Sequence, residues 1–297
     1  MKYFVARRRW VLTGVVVLGL LVPAASFSDG KVKVILFAGQ SNCRGKGDFS
    51  KLTSDELARL EAAGQRVTLA LFENKEKTVK PLHPFKASPG DTRKYGPEWF
   101  FGPELFMGIA LSEQWPDEEF LFIKHAVGGS SLHGAWNIDW SADTVKGTPD
   151  AKRPRLYYTW SSYVQEVLAT LDPDQYEIVG MVWVQGEADN PGLKPGPKEA
   201  YSKNYQANLV KLVQKAREDM QTPDLPFFCL QIGKLPMQAA ADEVGTAYVL
   251  RHDGKTGEGK YVYPMYPQSH YNYEGMKKIG LNFAELYIET CGSLIDS

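Results

Sequence analysis

Along the chain, apolar runs of strand length alternate with stretches in which apolar residues recur every three or four positions. Residues 32–38 (Val-Lys-Val-Ile-Leu-Phe-Ala) are β-branched and aromatic and stop at Gly39, which predicts a buried strand. Residues 120–126, which run on to Gly128-Gly129, and residues 178–184 and 226–232 predict three more. Between and after them, helical spacing marks 103–113 (Leu105, Phe106, Ile109, Ala110), 160–171 (Tyr163, Val164, Val167, Leu168), 201–220 (Tyr205, Leu209, Leu212, Val213) and 272–287. This alternation predicts an α/β fold with a mainly parallel central sheet flanked by helices. Residues 72–96 and 133–155 are rich in Pro, Gly, Lys and Asp without a clean period, and predict long loops over one edge of the sheet.

The N-terminus breaks the pattern. Lys2 and Arg7-Arg8-Arg9 precede an apolar stretch at 10–22 and the small residues of Pro23-Ala24-Ala25-Ser26, the layout of a signal peptide over 1–26 ahead of one domain over 27–297. The apolar stretch is shorter than the roughly 20 residues that span a bilayer, so export to a periplasmic or extracellular space is expected, without stable membrane insertion. Composition changes little: 43% hydrophobic residues and a formal charge of -1, with basic and acidic residues interspersed, give no reason to expect a nucleic-acid partner. Cys43, Cys229 and Cys291 allow at most one disulfide. Neither they nor the five histidines have metal-ligand spacing, so no metal and no cofactor are expected.

The candidate chemistry sits at strand ends. Phe37-Ala38-Gly39-Gln40-Ser41-Asn42 puts a serine on the turn after a buried strand, where ligands of open α/β sheets bind. Ser41 could be a nucleophile or simply the cap of a helix. The second strand ends in Gly128-Gly129-Ser130-Ser131, where a backbone N–H can meet a substrate oxygen or merely turn the chain. The third runs into Trp183-Val184-Gln185-Gly186-Glu187-Ala188-Asp189, an amide and two acids at one terminus. His270 stands at the entrance of the last helix.

Taken in order, Gly39 to Asn42, Lys124 to Leu132 with Trp136, Trp183 to Asp189, and His270 to Gly275 resemble the four sequence blocks of the SGNH hydrolase superfamily. Within it they are most similar to the sialate O-acetylesterase domain related to carbohydrate esterase family 6. The resemblance implies a three-layer, flavodoxin-like SGNH-hydrolase fold and a serine esterase acting through an acyl-enzyme on O-acetylated carbohydrate. It implies Ser41 as nucleophile and His270 as base, and an oxyanion held by the N–H groups of Ser41 and Gly129 and the side-chain amide of Gln185. Apart from the resemblance, Trp136 in the second aperiodic stretch is a candidate to stack on a sugar ring through its apolar face. The chain departs from the family at Pro267, three residues before the histidine, where an aspartate usually orients the imidazole. Either Glu187, Asp189 or a backbone carbonyl then holds His270, or a Ser-His dyad works alone, or activity is weak or lost. A carbohydrate-binding scaffold that kept the fold without turnover is the alternative. Cys43, where the family commonly has methionine, is expected to pack rather than react.

Overall fold

The computed structural model describes residues 30–190, 198–267 and 270–296, so the expected signal peptide lies outside the described residues. In chain order the strands are β1 (Val32–Gly39), β2 (Gly47–Asp48), β3 (Val67–Glu73), β4 (Glu76–Pro81), β5 (Phe85–Lys86), β6 (Trp99–Phe101), β7 (Phe120–Ala126), β8 (Tyr176–Val184), β9 (Phe227–Leu230) and β10 (Ala247–Leu250). The helices are α1 (Ser41–Arg44), α2 (Ser54–Ala63), α3 (Pro89–Tyr95), α4 (Pro103–Gln114), α5 (Ala142–Val145), α6 (Leu156–Leu168), α7 (Lys198–Lys203), α8 (Tyr205–Asp219), α9 (Met237–Val244) and α10 (Tyr273–Cys291).

Seven strands form the central sheet in the order β10-β9-β8-β1-β7-β3-β4. All neighbours run parallel except β3 and β4, which form an antiparallel edge. Every residue of β1 and β7 is buried, as expected of strands covered on both faces. Alternation along β7 shows the two covers: Lys124 reaches Glu104 of α4, whereas the next residue, His125, stacks on Phe72 beside Tyr163 of α6. On the α4 side, α2 and α10 pack against α4; on the α6 side, Tyr157 of α6 donates to Asp219 of α8, which packs on α9.

The expected loop over 72–96 is a correction. It contains β4, β5 and α3. β4 is an edge strand exposed or half-exposed along its whole length (Glu-Lys-Thr-Val-Lys-Pro), and such strands need no apolar alternation. Helix α3 starts at Ser88, whose side chain caps Asp91 N–H, with Pro89 in the first turn. β5 and β6 flank this helix and join β2 in a small three-stranded antiparallel sheet beside the nucleophile turn. The 133–155 stretch holds only α5 and a short 3-10 turn at Pro149–Lys152. The helix expected over 201–220 is interrupted at Asn204, between α7 and α8.

Candidate active site

Three adjacent strands deliver the site. Gly39 is in register with Ala126 of β7 and with Val184 of β8, so the carboxyl ends of β1, β7 and β8 are level. The chain leaves β1 sharply at Gly39 (φ 149°), where a Cβ would lie 2.2 Å from the Val184 carbonyl oxygen. Only glycine permits that approach. Gln40 is still extended; Ser41 opens α1, whose first-turn N–H groups have no intrahelical acceptor.

His270 comes from the far end of the chain. The segment before α10 folds back on itself through an antiparallel bridge between Met265 and Tyr271 and a 2.7 Å bond from Tyr266 N–H to the His270 carbonyl. His270 Nε2 lies 2.9 Å from Ser41 Oγ. Its Nδ1 lies 2.8 Å from the hydroxyl of Tyr95, and the two rings meet edge-on with centroids 5.5 Å apart. Pro267 is exposed.

Tyr95 ends α3, and α3 is tied to the segment that follows the serine. Arg44 Nη1 and Lys46 Nζ hold the two oxygens of Asp91 at 2.8 and 2.7 Å, while Arg44 also pairs with Glu73 at 2.6 Å. Burial would raise the Asp91 carboxyl, but these cations together hold it well below the usual carboxylate range. Burial pushes Lys46 down to about 8. A fully buried pair below, Lys124 to Glu104 at 2.5 Å, adds a bond from Lys124 to the Arg44 carbonyl at 2.9 Å.

The two acids expected to orient the imidazole do other work. Glu187 Oε1 accepts from Asn42 Nδ2 at 2.5 Å, and its buried Oε2 has no partner among the described residues. Burial raises its pKa. Asp189 accepts the N–H groups of Leu132 and His133, both at 2.9 Å, and Gln185 Nε2 at 2.6 Å. Burial outweighs those donors and pushes the Asp189 carboxyl up to about 6. Neither acid is bonded to the imidazole among the described residues, where Nδ1 meets the Tyr95 hydroxyl, and the expectation for Glu187 and Asp189 is corrected.

Gln185 is a second correction. It is wholly buried and does not line the cleft. Its amide nitrogen is spent on Asp189, on the Ser130 carbonyl (3.1 Å) and on Gln40 Oε1 (3.2 Å), and its oxygen accepts from Tyr205 at 3.1 Å. It ties together the loops that follow β1, β7 and β8. Trp136 is a third: it is 0% exposed, donates to Ser130 Oγ and stands edge-on to Trp183, so it is core. Cys43 is also buried, its thiol pushed up to about 12 by desolvation, and all three cysteines are free.

Gly129 does line the cleft, with φ 69°. Arg153 Nη2 donates to the Gly128 carbonyl at 3.0 Å. In a trans peptide this turns the N–H of Gly129 to the opposite side. Ser41, Gly128, Gly129, Tyr95 and His270 share the wall of a cleft of about 800 Å³, with Lys94 and Lys255 also on its lining. Sequence reasoning missed Tyr95, because nothing local distinguishes that phenol. It also left Asn42 without a role, although Asn42 bridges Glu187 and the Tyr271 N–H (3.4 Å).

The family model described as carbohydrate esterase, sialic acid-specific acetylesterase matches residues 31–289. Among solved structures, a protein of Arabidopsis thaliana is 18% identical, with 88% of this chain and 99% of that one covered and a TM-score of 0.57. NanS is 15% identical, with 90% and 98% covered and a TM-score of 0.53. A carbohydrate acetylesterase from Xanthomonas citri is 13% identical over 88% of this chain and 57% of its own, with a TM-score of 0.51. At these identities what is shared is the fold. No curated protein matches the chain at the sequence level.

Proposed function

The chain belongs to the carbohydrate esterase, sialic acid-specific acetylesterase family, and from that premise we propose that it removes O-acetyl groups from a sugar by a serine mechanism with Ser41 as nucleophile and His270 as base. The observation that carries this reading is the 2.9 Å contact between Ser41 Oγ and His270 Nε2 in an open cleft. As Oγ attacks the acetyl carbonyl, its proton passes to Nε2; when the tetrahedral intermediate collapses, that proton goes to the departing sugar oxygen. Water then attacks the acetyl-serine by the same proton route in reverse. The N–H groups of Ser41 and Gly129 are the oxyanion donors in this scheme, supported by the free first turn of α1 and by the peptide plane that Arg153 fixes.

The acetylated carbohydrate substrate follows from family membership. Export is part of the same proposal, supported by the basic and apolar residues that precede the mature fold. The test is hydrolysis of p-nitrophenyl acetate and of an O-acetylated sugar by wild type, Ser41→Ala and His270→Ala. Loss of nucleophile or base is expected to lower kcat by at least about a thousandfold while the fold persists. Equal turnover by wild type and Ser41→Ala would reject the serine mechanism, and no turnover by the wild type would favour a sugar-binding scaffold.

A further inference from the structure

We infer that Tyr95 is the positioning residue of the catalytic histidine: a phenol, supplied by a different element, stands in for the carboxylate that Pro267 cannot provide. The inference rests on the serine mechanism proposed above. For His270 Nε2 to accept the serine proton, that nitrogen must carry the lone pair, so the ring hydrogen must sit on Nδ1. An Nδ1–H needs an acceptor, and the atom 2.8 Å away is the Tyr95 oxygen. A hydroxyl oxygen can accept while its own hydrogen turns elsewhere, so one phenol fixes both the tautomer and the ring plane.

The proton count closes without ionising the tyrosine. On attack, the Ser41 proton reaches Nε2 and makes an imidazolium whose Nδ1–H stays bonded to the neutral phenol. On collapse, Nε2 returns that proton to the leaving oxygen, and Tyr95 keeps its own throughout.

The setting of Tyr95 suits a fixed support. It is the last residue of α3, which Asp91 anchors to Arg44 and Lys46, three and five residues beyond the nucleophile. The ring is held edge-on by Phe100 at 6.2 Å and against Tyr266 at 5.2 Å, and both Lys46 and Lys94 lie over it, at 5.4 and 5.0 Å. Nucleophile and support are thus parts of one clamped assembly, into which His270 is inserted from the other end of the chain.

Tyr95→Phe keeps the ring and removes the acceptor. The expected result is a fall in kcat of about 10- to 100-fold with KM little changed, the loss appropriate to one hydrogen bond to a charged group. The imidazolium loses a stabilising partner, so the acid limb of kcat/KM should move to lower pH. Phosphonylation of Ser41 by a fluorophosphonate, which needs no sugar, should slow by a similar factor. Independently of any variant, ¹⁵N-histidine spectra of the wild type should show neutral His270 protonated on Nδ1. Unchanged kcat, pH limb and phosphonylation rate in a folded Tyr95→Phe protein would overturn the inference, as would an Nε2–H tautomer in the wild type. Unchanged kinetics in Tyr95→Phe leave the serine mechanism standing if Ser41→Ala is dead, whereas an Nε2–H tautomer or an active Ser41→Ala protein defeats the underlying mechanism as well.

Discussion

At the scale of the residue, the division of labour among polar groups follows from who already has a partner. An amide that donates to a buried carboxylate at 2.6 Å has no incentive to turn toward a transient oxyanion, and Gln185 is such an amide. Its truncation is therefore a stability experiment. Gln185→Ala leaves Asp189 one donor short inside the protein and opens a void between the three strand-end loops, so a loss of about 2–4 kcal/mol is expected by thermal or urea unfolding. A variant that unfolds like the wild type yet loses about a hundredfold in kcat would instead restore the oxyanion role that the family resemblance implies. Asn42 works by the same logic: one small amide spans an acid after β8 and a backbone N–H beside the histidine, so the loops that carry the site share a partner.

At the scale of the element, α2 and α10 are joined through one carboxylate. Glu56 completes the capping box at the start of α2 and also accepts from Tyr273 and Lys277 of α10, both at 2.5 Å. Burial alone would raise its pKa, but the Lys277 ammonium, the Tyr273 hydroxyl and the Thr53 N–H together pull it down to about 2. A folded pKa below the unfolded value means stability that is complete above about pH 4.5 and is lost as pH falls toward 2. Glu56→Gln should thus be less stable than wild type at pH 7 by about 1.5–3 kcal/mol, with the gap closing on acidification. A gap that persists at pH 2 would assign the effect to packing.

What was legible at this scale depended on burial. β1, β7, β8 and β9 announce themselves as continuous apolar runs because both of their faces are covered. The polar edge strand β4 and the seven-residue α3 carry no such periodicity, and both fell inside a stretch that reads as loop. The same blindness hid Tyr95: a residue that acts only through a partner 175 positions away in sequence has no local signature. Ser41 and His270 were legible because each sits where a strand or helix begins or ends, and the motif around each is chemical rather than periodic. Trp136 was misread because a tryptophan in an aperiodic segment looks available for a sugar, whereas the segment folds it inward under Trp183.

At the scale of the whole molecule, the sheet's centre and the site's floor are the same residues. β1, β7 and β8 supply the serine turn, the glycine pair and the Gln185 knot; β1 and β7 are buried along their whole length and β8 from Ile178 to its end. Local openings should therefore cost least at the antiparallel edge and most in the middle. Hydrogen exchange is expected to be slowest in the amides of β1 and β7 and at least about tenfold faster in β4, whose outer edge is unpaired. Slow exchange in β4 equal to that of β1 would show that the edge is covered in solution.

The 229 positions that separate Ser41 from His270 also set an order of events. A ribosome releases the first long before the second, and the hydroxyl must wait, inert, until nearly all of the sheet has been made and α10 can dock against α4. Under the proposed serine mechanism, a growing chain is for that reason incapable of attacking the esters around it, and acquires its reactivity only with its closing helix.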